Sequence, residues 1–194
     1  MRQRLYYVIV VGIILSSMFT RRMVFFMKKI YLAGPQVFYP DFSFEEYRDY
    51  CSKNDFIGIS PKDNDIYLDN KMSDFDKAAK IRSENVKLIE QCDIVIADIS
   101  PFRGTKSADP GTVFEIGYAS ALNKKIVLYS NSYNTTLVER FAPHDKNSNG
   151  EIIESKYGTI IENFGLTENL MISTIVNEIY PDFKKAVESL KKIQ

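Results

Sequence analysis

The sequence predicts a doubly wound α/β layer fold. Short β-branched runs alternate with stretches of helical periodicity between residues 29 and 130, and one run, DIVIADI at 93–99, is close to continuously apolar. Strands alternating with helices lead to layered α/β folds, and a strand apolar on both faces is typical of a parallel sheet covered on both sides. Ligands of such sheets bind at the carboxyl ends of the strands.

KIYLAG, residues 29 to 34, is the first predicted strand, ending in a Gly-Pro turn, and residues 41 to 54 carry aromatic side chains at helical spacing. FIGIS, 56 to 60, is the second strand, stopped by Pro61; a loop with Lys62, Asp63, Asn64 and Asp65 leads to a helix over 74–91. DIVIADI is the third strand. After SPFRGTKSA a helix starts at Asp109-Pro110, with Asp109 suited to the N-cap and Pro110 to the first helical position. KKIVLYS, 124 to 130, is the fourth strand, and residues 166 to 193 read as a helical region broken or kinked at Pro181. The strand-end rule gathers Gly34 and Phe38 of AGPQVF, Asp98 and Arg103 of ADISPFRG, and the start of the Asp109 helix around one crevice.

Composition excludes several classes of function. The 194 residues hold 25 basic and 25 acidic side chains, without the basic excess that recognition of nucleic-acid polymers brings. Cys51 and Cys92 are too few and too distant for a disulfide framework or a zinc site, and His144 is the one histidine. No GxGxxG follows the first strand and no GxxxxGK[ST] occurs. DKNSNG, 145 to 150, matches the first half of a calcium loop, but the twelfth position is Lys156 where a bidentate Glu is required, so a surface loop is expected.

The zero net charge is unevenly divided. Residues 1 to 26 contain Arg2, Arg4, Arg21 and Arg22 and no acid, leaving 21 basic against 25 acidic residues beyond them. LYYVIVVGIILSSMF, 5 to 19, resembles the apolar region of a signal peptide and is short of the about 20 residues of a helical membrane crossing. Three readings stay open for this extension: an upstream stretch outside the working protein, a membrane anchor, or an export signal. Residues 27–194 are expected to form the working domain, cytoplasmic unless residues 5–19 anchor it to a membrane.

The strongest chemical signal is DPGTVFEIGYASAL, residues 109 to 122. Glu115 falls in the second helical turn, and Gly111, Thr112 and Ala119 share its face, so it reads either as a carboxylate paired to a buried partner or as one that a ligand approaches closely over small residues. The nearby helix N-terminus is expected to favour its ionised form. Asn85 shares a face with Ile81, Leu88 and Ile89, the stripe expected to face the sheet, and is either a core amide or a ligand contact. Arg103 reads as a surface residue or as a ligand or carboxylate clamp, and Tyr31 as a core tyrosine or a donor to a carboxylate.

IYLAGPQVF, then ENVKLIEQCDIVIADISPFRGTKSADPGTVFEIGYASALNKKIVLY, then YGTIIENFGLTENLMI resemble, in that order, the nucleoside 2-deoxyribosyltransferases across residues 28 to 175. The resemblance implies a flavodoxin-like, Rossmann-like doubly wound sheet of about five parallel strands with flanking helices. It implies cofactor-free and metal-free exchange of free purine or pyrimidine bases on 2′-deoxynucleosides, as in nucleotide salvage. It also implies a homo-oligomer, dimer or hexamer, in which the NLM segment of one subunit completes its neighbour's site. By matching position, Glu115 corresponds to the nucleophile, Asp109 to the carboxyl group that protonates and recognises the base, and Tyr31 to the tyrosine that orients the nucleophile. Asn169, with Met171 beside it, corresponds to the segment that reaches the adjacent site. Asn85 stands where some members have an Asp, which leaves the choice of base open.

The chemistry expected of these residues is a retaining double displacement through a deoxyribosyl ester of Glu115. An N-glycosidase using water as acceptor is the nearest alternative, although the loop GPQVFYP lacks the Ser and Arg expected of relatives that hydrolyse deoxynucleoside monophosphates. A non-catalytic nucleoside-sensing module is the alternative of another class.

Overall fold

The computed structural model of the chain describes residues 27–64 and 66–193. The extension at 1–26, and with it the leader and anchor readings, lies outside the described residues. Among those described, no helix is long and apolar enough to cross a membrane.

Five parallel strands form the central sheet. They are β1 (Lys28–Ala33), β2 (Phe56–Ile59), β3 (Ile94–Asp98), β4 (Lys125–Tyr129) and, after a two-stranded insertion, β7 (Ile179–Tyr180). Their order is β2-β1-β3-β4-β7, the flavodoxin-like order with the insertion β5 (His144–Lys146) and β6 (Ile152–Glu154) set between the fourth and fifth sheet strands. β1 lies between β2 and β3, with Ile30 opposite Gly58 on one side and Ile94 on the other. The chain leaves β1 and β3 in opposite directions across the sheet, so the segments after these two strands flank the switch point where such folds bind ligands.

Alternation along β1 assigns the two layers. Ile30 and Leu32 join Phe44, Cys51, Phe56, Phe183 and Val187 on one face, under helix α1 (Glu45–Ser52) and the C-terminal helix α6 (Phe183–Ser189). Tyr31 and Ala33 turn to the other face, where α2 (Asp74–Gln91) and α3 (Pro110–Ala121) supply Ile89, Ile116 and Ala119. A period of two in the strand thus sends Tyr31 towards α3. Cys51 and Cys92 are buried and unpaired, and burial pushes both thiols up to about 12.

The remaining helices are single turns, α4 (Leu137–Arg140) and α5 (Leu170–Ser173). DKNSNG builds the β5–β6 hairpin, with Gly150 at a φ of 81°. The expected helical region at 166–193 is corrected by the structure: it contains the short α5, then β7, then α6. Its β-branched residues Thr174, Ile175, Val176 and Ile179 favour extended backbone, and Leu128 and Tyr129 of β4 present an open ladder edge to pair with. The first helix is likewise shorter than the aromatic spacing predicted, starting at Glu45 rather than near Asp41.

Phe183 fixes the C-terminal segment on the sheet. Its ring stacks on Tyr47 at 3.8 Å between centroids and meets Tyr129 edge-on at 6.1 Å. Phe183→Ala is expected to cost about 3–5 kcal/mol in a denaturant titration, through lost burial and the cavity left behind.

Candidate functional site

Asp109 defines where α3 begins. Its Oδ2 accepts from the Thr112 amide at 2.9 Å and from the Thr112 hydroxyl at 3.1 Å, while Pro110 occupies the first turn. A well-fixed helix start fixes the rotation of the following turn, and Glu115 therefore faces β1. Tyr31 donates its hydroxyl to Glu115 Oε1 at 2.6 Å, across 84 residues of sequence. The tyrosine is fully buried.

Burial dominates the electrostatics of Glu115. It raises the carboxyl pKa to about 7; the Tyr31 hydrogen bond opposes the rise and the Asp109 carboxylate adds to it. The helix N-terminus, expected to favour ionisation, is outweighed, because the dipole's influence fades beyond the first turn whereas the apolar wall acts on the carboxylate directly. Tyr31 is in turn pushed far above the usual phenol range, first by burial and then by the Glu115 charge, so it acts as a fixed donor.

Glu115 opens into a cleft of about 320 Å³ between α2 and α3, walled by Ile81, Arg82, Asn85, Gly111 and Phe114. The volume lies within the range of small-molecule sites. The Arg82 guanidinium sits over the Phe114 ring at 5.2 Å. The expectation that the Ile81–Asn85–Leu88–Ile89 stripe faces the sheet is corrected: Ile89 is buried, Leu88 half-buried and Ile81 41% exposed, so the stripe runs from the sheet edge into the cleft. Asn85 Oδ1 accepts from Asn64 Nδ2 at 3.1 Å. A larger cleft of about 520 Å³ lies at the opposite end of the sheet, around Asn123, Lys125 and Asn177, and contains none of the expected site residues.

The rim residues form a second group at the strand ends. Arg103, at a φ of 50°, lays its guanidinium over the rings of Phe38 at 4.6 Å and Phe102 at 4.7 Å, and among the described residues it makes no ion pair. Asp98 is buried with both oxygens engaged, Oδ2 by Gln36 Nε2 at 2.5 Å and Oδ1 by the Ser100 amide at 2.9 Å. It thereby ties the loop after β1 to the end of β3. Gly34 has a φ of 154°, and a side chain there would collide with Gln36 and Asp98.

Asn169 and Met171 stand apart from the cleft. Asn169 caps α5, accepting from the Met171 amide at 3.0 Å and donating to Glu162 at 2.6 Å, and Met171 is 71% exposed. The segment is held from behind by Glu168, which pairs with Arg140 at 3.3 Å and accepts from the amides of Ala108 at 3.1 Å and Asn169 at 3.0 Å. This buried acid links the loop before α3 to the NLM turn. Sequence reasoning missed it, together with Gln36, Arg82, Phe114 and Asn64. Gln36 and Asn64 follow the ends of β1 and β2, which the strand-end rule points to; Glu168 has no periodic signal.

The family model described as nucleoside 2-deoxyribosyltransferase matches residues 30–171. The solved structure of the 2-deoxyribosyltransferase of Leishmania mexicana is 33% identical, covers 85% of this chain and 97% of its own, and superposes with a TM-score of 0.66. An uncharacterised protein of Schizosaccharomyces pombe is 26% identical over 156 residues, spanning 73% of this chain and 74% of that protein.

A carboxyl group whose folded pKa lies above its unfolded value binds its proton more tightly in the folded state, so stability falls as pH rises from about 4.5 towards about 7. Glu115→Gln is therefore expected to stabilise the fold by about 1–3 kcal/mol at pH 8, and the gain should vanish near pH 4. Denaturant titrations of both proteins across this window measure the difference.

Proposed function

Since the chain belongs to the nucleoside 2-deoxyribosyltransferase family, we propose that it exchanges bases on 2′-deoxynucleosides through a deoxyribosyl ester of Glu115. The observation that carries this reading is the 2.6 Å hydrogen bond from buried Tyr31 to a carboxylate at the floor of an apolar cleft. Breaking the N-glycosidic bond develops positive charge at C1′, and without a 2′-hydroxyl that charge forms more easily. Ionised Glu115 stabilises it and then bonds to C1′, while the bond's electron pair leaves on the base nitrogen. Tyr31 holds one carboxylate oxygen, so the other is the attacking atom.

Asp109 handles the proton. Its Oδ2 is occupied by Thr112, leaving Oδ1 for the base. A proton delivered from this side, directly or through water, neutralises the departing base. In the second half a free base attacks C1′, its proton returns by the same route, and the ester oxygen of Glu115 leaves as carboxylate. Two displacements retain configuration at C1′, and no electrons or groups from a cofactor are needed.

The catalytic unit of this reading is residues 27–194, working in the cytoplasm on free nucleosides and bases of salvage rather than on nucleic-acid polymers. Met171 faces outward and Asn169 lies beside it, which supports a homo-oligomer in which this turn closes the cleft of a neighbouring subunit. Closure would exclude water and favour transfer over hydrolysis.

Incubation with deoxyinosine and adenine is expected to yield deoxyadenosine; free deoxyribose as the sole sugar product would indicate a hydrolase instead. Glu115→Ala should abolish exchange with the fold retained, and near-normal turnover would sink the mechanism. Because the ionised carboxylate reacts, kcat/KM should fall on the acid side with a midpoint near the Glu115 value of about 7. Tyr31→Phe removes the hydrogen bond that lowers that value, so the midpoint should move to higher pH.

A further inference from the structure

Asn64 follows the single 3₁₀ turn Pro61–Asp63 at the end of β2. The turn is braced by a capping box between Ser60 and Asp63, and Arg48 bonds to both. Asn64 therefore meets Asn85 of α2 from a fixed position.

The direction of their hydrogen bond follows from a third group. Asn64 approaches the Pro61 carbonyl at 2.6 Å, and a carbonyl oxygen only accepts, so the atom of Asn64 facing it is the amide nitrogen. The same nitrogen lies 3.1 Å from Asn85, which therefore presents Oδ1 to it. Both protons of the Asn64 amide are then used, and the Asn85 oxygen, with one of its two lone pairs engaged, is oriented towards Asn64, which does not line the cleft. Its Nδ2 has no acceptor among the described residues, and Asn85 lines the cleft that holds Glu115. Arg82, the other polar side chain on that wall, also offers donors alone.

We infer that Asn64 sets the polarity of base recognition: by holding Asn85 as a donor, it makes the cleft take deoxynucleosides whose base presents a ring carbonyl, such as hypoxanthine, ahead of their amino counterparts, such as adenine. The inference rests on that part of the proposed function which makes the cleft a deoxynucleoside-binding site. A freely rotating asparagine reads adenine with both arms, its oxygen accepting from the exocyclic amine and its nitrogen donating to the ring. Asn64 weakens the first of these bonds, because it holds the oxygen towards itself and occupies one of its two lone pairs. Hypoxanthine offers acceptors only along the corresponding edge and loses nothing. Asn64 is thus a positioning residue, acting through Asn85 without touching the base.

The test is binding of deoxyinosine and deoxyadenosine to the full chain carrying Glu115→Ala, in which the proposed nucleophile is absent. Deoxyinosine is expected to bind about tenfold more tightly. Adding Asn64→Ala should bring the ratio to about one, and adding Asn85→Asp, which presents acceptors, should reverse it. In the enzyme with Glu115 intact, Asn64→Ala should shift the KM ratio of hypoxanthine and adenine as acceptors and leave their kcat ratio in place. A preference unchanged by Asn64→Ala in a protein with a native circular-dichroism spectrum overturns the inference, as does a starting preference for deoxyadenosine or failure to bind either nucleoside. If Asn64→Ala does not fold, Asn85→Asp decides, reversal supporting the inference and an unchanged ratio overturning it. Binding with the expected ratio but no exchange by the intact enzyme would sink the exchange reading and leave this inference standing.

Discussion

A carboxylate held against the apolar face of a parallel sheet is the constraint around which this protein is arranged. Burial disfavours the charge on Glu115, and the Tyr31 hydroxyl, delivered by the central strand β1, is the protein's counterweight. The result is a group near its midpoint at neutral pH, which in the proposed exchange would be ionised often enough to react and desolvated enough to act as a nucleophile. β1 has to be central for this, because its outer neighbours fix the rotation of the strand and hence the direction of Tyr31. The start of α3 has to be exact to within a residue, since a shift of one position turns Glu115 by about 100° around the helix axis. Asp109 and Pro110 supply that definition.

The loops at the strand ends are held by buried polar side chains. Asp98 and Gln36 join the loops after β3 and β1, and Gln36 also reaches the Tyr129 hydroxyl at 3.3 Å on β4. Glu168 and Arg140 do the same for the turn that carries Asn169 and for the loop entering α3. Buried charges of this kind contribute less to net stability than to the choice of one arrangement, because removing either partner leaves the other uncompensated. Asp98 shows how a strand-end acid that reads as a ligand contact is engaged by its own loop on both oxygens.

The cleft wall combines two kinds of recognition. Phe114 and Ile81 supply apolar surface, whereas Asn85 and Arg82 supply direction. Asn85 gains its direction from Asn64, whose own orientation comes from a backbone carbonyl. A chain of three groups thus orients an ambiguous amide, and under the proposed recognition the specificity of the wall would be set one layer behind it.

Much of this was legible in the sequence. The four strands from β1 to β4, the helix start at Asp109-Pro110 and the prominence of Glu115 all follow from local periods, capping residues and turn chemistry, which act over a few positions. The family resemblance added the flavodoxin-like arrangement of about five strands and the pairing of Tyr31 with Glu115. β7 escaped because two residues of strand have no period of their own; they are extended where β4 offers an edge. The face of α2 was misassigned because periodicity tells which residues share a side but not how far the helix overhangs the sheet. The pKa of Glu115, the engagement of Asp98 and the direction of the Asn64–Asn85 bond were decided by tertiary structure alone. Each depends on groups distant in sequence meeting at hydrogen-bonding range in a low-dielectric surrounding, where a neighbour's approach outweighs any local preference.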